Sequence, residues 1–209
     1  MVKRIAHELK EHIPFTALGA VTGIIIMVVV VLGNVPYHIS ETIFHTLHPL
    51  HVLLSALVTA AMYTRYKKGK FWMVILIGWT GSIGIATISD AFIPYLGGLL
   101  LHAKMEFHVP FIEHWWINLV VLAGIAIGFW KQTTKIPHFG HVLISTWASL
   151  FYITAYGTAD NWLPLLPFIF LILFLAVWLP CCLSDIVYPL LFIRKEPTSS
   201  PAQSQEPVR

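Results

Sequence analysis

The sequence predicts an all-α membrane protein, six transmembrane helices arranged as two inverted-topology three-helix repeats. Three observations predict it. The chain of 209 residues is 57% hydrophobic and only 11% charged, with a mean hydropathy of +0.75, outside the range of soluble domains. Six apolar runs, 14–33, 46–64, 71–93, 112–130, 138–157 and 163–193, are long enough to cross a bilayer or nearly so. And a rare pattern occurs twice: His48-Pro-Leu-His51-Val-Leu-Leu-Ser55 and His138-Phe-Gly-His141-Val-Leu-Ile-Ser145.

The duplication extends beyond that motif. A Glu-His pair precedes each copy, Glu11-His12 and then Glu113-His114. A Ser-Asp-x-x-x-Pro element follows each: Ser89-Asp90 with Pro94, then Ser184-Asp185 with Pro189. The same order of elements once per half reads as an internal duplication. The halves divide at residues 1–96 and 97–195, and 196–209 is a Pro-, Ser- and Gln-rich tail expected to be disordered.

In chain order, Val2 to His12 mixes apolar and charged residues at helical spacing, as an interfacial helix does. The first run follows this charged segment without a small-residue cleavage site, so no cleavable signal peptide is expected. Pro14 falls in the first turn of span one, where its missing N–H costs little. Gly19 and Gly23 give a Gly-x-x-x-Gly face for close helix approach. The segment from Gly33 to Thr42 lacks Lys and Arg and is expected to be an external loop. Span two opens with His45, His48 and His51. Span three carries Gly78, Gly81 and Gly84, reaches Asp90, and is expected to break at Gly97-Gly98. Span four starts at Glu113-His114, is anchored by Trp115, Trp116 and Trp130, and repeats the small-residue spacing with Gly124 and Gly128. His138 and His141 open span five, and Pro180 is expected to kink the long span six.

The basic residues set the orientation. Lys3, Arg4 and Lys10 precede span one; Arg65, Lys67, Lys68 and Lys70 follow span two; Lys131 and Lys135 follow span four; Arg194, Lys195 and Arg209 follow span six. The other loops hold only Lys104. By the positive-inside rule both termini are cytoplasmic, in a plasma or inner membrane. The net charge of +3 is therefore a topology signal, and no nucleic-acid partner is implied. Cys181 and Cys182 are adjacent inside span six, which excludes a disulfide framework.

Three spans per half invert the second half, with a pseudo-two-fold axis in the membrane plane. That topology places His48, His51, Asp90, Glu113 and His114 towards the outer face. It places Glu11, His12, His138, His141 and Asp185 towards the inner face. Positions 48, 51 and 55 share one helix face, as do 138, 141 and 145, so two imidazoles and a serine hydroxyl line up in each copy. His12 with Thr16 and His114 with Asn118 add a stripe at i, i+4. Ser55, Ser89, Ser145 and Ser184 support these sets. A proline four residues after Asp90 or Asp185 cannot donate to that residue's carbonyl, which would leave a carboxylate and a carbonyl together at a helix break. Such a set suits a divalent transition metal, zinc, iron or manganese. Ionisable groups inside spans cost about 2.5–3.5 kcal/mol each on insertion scales, which argues for function.

His7, His38, His45 and His102 are expected to be headgroup anchors. Cys181 lies one turn before Asp185, but its counterpart Ala86 has no thiol, so packing is the expected role. The function expected is transport of a divalent metal by alternating access, with a homodimer built on the glycine faces and the lipid bilayer as surroundings. One alternative is a b-type di-haem electron carrier with His51–His114 and His12–His141 as axial pairs. The other is a metal-dependent lipid-modifying enzyme. No His-Glu-x-x-His, Gly-x-Ser-x-Gly or histidine-box cluster supports the enzyme, and two matched sets fit one active site poorly.

Overall fold

A chain this apolar must satisfy its backbone internally, and it does so by winding into helices. The computed structural model describes residues 2–66, 71–131, 135–182 and 188–192, and of residues 2–9, 11, 12, 66, 135–139, 182, 189 and 190 the backbone alone. Helix α1 (Val2–Leu32) is continuous, so Pro14 lies inside it and not in its first turn. Its end closes on Gly33 N–H to Val29 carbonyl at 2.9 Å and on Asn34 in the left-handed region, φ 47°, which asparagine tolerates better than most residues.

Helix α2 (Tyr37–Tyr66) starts directly after Pro36. The external loop expected from Gly33 to Thr42 is therefore only a tight turn, and α2 is longer than span two. Helix α3 (Phe71–Thr87) runs without interruption into a π turn at Ile88–Phe92 and then α4 (Ile93–Leu100). The expected break at Gly97-Gly98 does not occur. Both glycines are helical, and their missing side chains admit Ile172 and Met105.

A connection over 101–116 follows, containing the single turn α5 (Pro110–Glu113), and α6 (Ile117–Trp130) starts only after His114 to Trp116. Helix α7 (Lys135–Tyr156), a 3-10 turn at Leu163–Leu165, α8 (Leu166–Cys182) and α9 (Tyr188–Leu191) complete the described chain. Two two-residue strands, β1 (Lys104–Met105) and β2 (Gly157–Thr158), pair antiparallel and tie this connection to the end of α7.

Among the described residues, four segments are long and apolar enough to cross a membrane: Ile13–Leu32, Tyr37–Arg65, Phe71–Leu100 and Leu163–Cys181. Ile117–Trp130 is apolar but shorter. Polarity is distributed inside out. Val21, Ile25 and Val29 of α1 and Phe168, Leu171 and Leu179 of α8 are exposed, while Ser82, Ser89, Asp90, His141, Ser145 and Ser149 are buried. That distribution suits a hydrocarbon surrounding, where apolar groups gain nothing by hiding and polar groups must find partners.

Helices α2 and α7 pack along each other at the centre. Helix α1 packs on α7 and α8, and α6 packs on α2 and α3. Gly19 faces Thr146 and Gly23 faces Leu173, while Gly124 and Gly128 lie against the carbonyls of Leu53 and Leu57. Both Gly-x-x-x-Gly pairs thus face helices of the same chain. In hydrocarbon such close backbone approach is a main source of helix association.

Candidate metal centre

The centre lies where α2, the π turn, α7 and α8 meet. Helix α2 brings His48 and His51 to one face at i, i+3, as their spacing requires. The π turn presents Asp90. The extra residue in such a turn lets neighbours that would diverge on an α-helix face the same side, and Ser89 and Asp90 are both fully buried. Helix α7 contributes His141 and Ser145, and α8 contributes Cys181.

Asp90 is the hub. Its Oδ2 accepts from His48 Nδ1 at 2.9 Å and from His51 Nδ1 at 2.7 Å. Its Oδ1 accepts from Ser89 Oγ and Ser145 Oγ, each at 2.7 Å. A carboxylate only accepts, so both imidazoles carry their proton on Nδ1 and turn Nε2 outward from the carboxylate. For a buried charge this is full satisfaction, and it explains how Asp90 is retained at 0% exposure.

The π turn also moves the freed carbonyl. Ile93 N–H bonds the Ile88 carbonyl, an i+5 step, so in this register Pro94 fails to donate to Ser89 and not to Asp90. The Ser89 carbonyl accepts instead from Ser149 Oγ at 2.9 Å. The carbonyl is therefore closed to a cation, and the expected carboxylate-plus-carbonyl pair at Asp90 does not form.

The duplicated motif closes on itself. His51 and His141, equivalent positions of the two copies, stack with ring centroids 5.6 Å apart and 3° between planes. Cys181 Sγ lies 4.0 Å from His51 Nε2 and 3.9 Å from Ser145 Oγ. One ligand atom from each of His51, His141 and Cys181 lies within 4.8 Å of the others, and all three residues are buried. Two imidazoles and a thiol at that separation can converge on one tetrahedral ion with small side-chain movements, leaving a fourth position open. The Asp90 carboxylate and His51 Nδ1–H, with Nε2 turned towards Cys181, form the carboxylate–histidine arrangement that commonly orients metal ligands.

The expected outer and inner sets are redistributed. His51 and Asp90 meet as expected, but His141, expected at the inner face, joins them. With both oxygens engaged, Asp90 reaches an ion only through His51. Glu113 accepts from His108 Nδ1 at 3.1 Å and from Val109 N–H at 3.0 Å in the connection between α4 and α6. His114 meets His45 edge to face, centroids 4.6 Å apart. His114 lies outside α6, so the stripe with Asn118 does not form, and Asn118 accepts from Trp79 Nε1 at 2.9 Å. Ser55, one turn after His51 on α2, is buried. The side chains of Glu11, His12 and His138, and residues Ser184 and Asp185 entirely, lie outside the described residues.

Two participants were not expected. Cys181 reads from the sequence as packing because its counterpart lacks a thiol, and no spacing rule connects it to His51 across 130 positions. His45 was assigned to the headgroups, yet its Nε2 lies 2.9 Å from the Tyr156 hydroxyl. Its signal was present in the i, i+3, i+6 series His45, His48, His51. No protein-family model matches the chain, and comparison with curated proteins and with solved structures returns no match.

Proposed function

We propose that this is a small membrane transporter for a divalent transition-metal cation, built from two inverted three-helix repeats with both termini cytoplasmic. The observation that carries it is the meeting of His51 and His141, equivalent residues of the duplicated motif, at one buried place with Cys181. Inverted repeats commonly bind their cargo at the repeat interface near the midplane, and alternate access by rocking one repeat against the other. The exchange of first spans, α1 onto α7 and α8, α6 onto α2 and α3, supports the same symmetry. One shared site replaces the two matched sites of the sequence-based expectation.

The thiol sharpens the choice of ion. Imidazole and thiolate together suit zinc or iron, whereas manganese prefers oxygen. Haem fits poorly, because the expected axial pair His51–His114 is split and stacked parallel rings cannot address a porphyrin from opposite faces. Against an enzyme, His51, His141, Cys181 and Asp90 are all at most 2% exposed. A bare ion can reach such a site through a modest opening, and a lipid headgroup cannot.

The test is zinc flux into proteoliposomes of the full chain. Replacing Cys181 by Ser or His141 by Ala removes one of three donors and should lower flux at limiting zinc at least about tenfold, as losses around metal sites do. Parent-rate flux in both variants would refute the proposal.

A further inference from the structure

A second group of imidazole and carboxylate side chains lies at the other end of the same helix stripe. His45 of α2 and His114 of the connection between α4 and α6 approach edge to face, with centroids 4.6 Å apart. Glu41, one turn earlier on α2, has Oε1 4.0 Å from His45 Nε2. The phenol of Tyr156 sits 2.9 Å from that same nitrogen, and its ring stacks on His108 at 4.2 Å. His45 is 22% exposed and Glu41 41%, so the cluster is reachable from outside yet not splayed into the headgroups as an anchoring histidine would be. The pair draws on both halves of the chain, α2 from the first and the connection between α4 and α6 from the second.

We propose that His45, His114 and Glu41 form an outer loading station that captures the cation and passes it inward along His48 to the buried centre. This rests on the transport function proposed above and adds a second site to it. Successive histidines three residues apart rise about 4.5 Å along the helix. A metal–imidazole bond is about 2.0–2.1 Å, so an ion midway between two such rungs is within reach of both with small side-chain rotations. The ion can therefore exchange ligands stepwise without ever being bare in a low-dielectric interior. With Tyr156 donating, the His45 Nε2 lone pair is capped by a hydrogen bond that an arriving cation displaces. Glu41 supplies the negative charge that the two neutral imidazoles lack.

The station is tested without relying on the centre. In the double variant Cys181→Ser, His141→Ala, histidines of the full chain in detergent are modified with diethyl pyrocarbonate with and without zinc. Mass spectrometry should show zinc protecting His45 and His114 in this variant as it does in the parent. In proteoliposomes, His45→Ala and His114→Ala should raise the KM for zinc at least about tenfold and keep most of the maximal rate. Both should retain the thiolate-to-cobalt absorption of the centre. Absence of zinc protection at His45 and His114 in both backgrounds overturns the station, as does an unchanged KM. Loss of the cobalt absorption from His45→Ala and His114→Ala overturns it too, since the pair would then be holding the centre's structure. If the parent itself lacks that absorption while protection persists, the central site fails and the station stands as an independent cation site.

Discussion

Asp90 holds four hydrogen bonds on two oxygens at a fully buried position, so its substitutions should separate charge from connectivity. In Asp90→Asn the amide oxygen can keep both imidazole N–H groups, and the amide N–H₂ can turn to Ser89 and Ser145, whose hydroxyls rotate to accept. The loss is then mainly the charge assistance, about 1–2 kcal/mol. Asp90→Ala strands two buried imidazole donors, while Ser89 and Ser145 keep the Ala86 carbonyl and each other as acceptors, and should cost about 3–5 kcal/mol. Chemical unfolding in detergent measures both. Equal losses for Asn and Ala would mean that the network is not the source of stability. Here the sequence was informative about which residues matter, because an ionisable group in an apolar run advertises itself. It was silent about their roles: nothing in Ser-Asp-x-x-x-Pro distinguishes a carboxylate that binds an ion from one that orients a ligand.

The π turn shows how a local count of residues goes astray inside a correctly placed helix. Counting four back from Pro94 points to the Asp90 carbonyl, and one inserted residue shifts the vacancy to Ser89, which Ser149 fills. The two residues should therefore be coupled. Ser149→Ala alone leaves the Ser89 carbonyl buried without its donor and should destabilise by about 1–3 kcal/mol. Adding Pro94→Ala supplies a backbone N–H at that position, so the double variant should be more stable than the sum of the single effects by at least about 0.5 kcal/mol. Strict additivity in the double-mutant cycle would rule the exchange out. Helix positions were legible from apolar runs, but their ends were not. Gly97 and Gly98 read as breakers from composition, yet the helix continues because Ile172 and Met105 fill the space beside them, a tertiary fact invisible to a local pattern.

For the molecule as a whole, the duplicated motif was readable, and the inverted symmetry predicted from it placed the copies on opposite faces. The central packing of α2 on α7 puts His51 against His141 instead. The orientation itself is open to labelling: single cysteines at Lys104 and Lys68, in a cysteine-free parent, should react from opposite sides of the membrane, and reaction from one side would remove the inverted arrangement. The proposed transport requires a thiolate-ligated ion between the two copies of the motif. Cobalt(II) binding to the purified full chain, followed by absorption, reads that bond. The expected result is one thiolate-ligated cobalt per chain, whose charge-transfer absorption is lost in Cys181→Ser, retained in Cys182→Ser and accompanied by no Soret band. A parent that binds no cobalt through thiolate, or an absorption indifferent to Cys181→Ser, would contradict it.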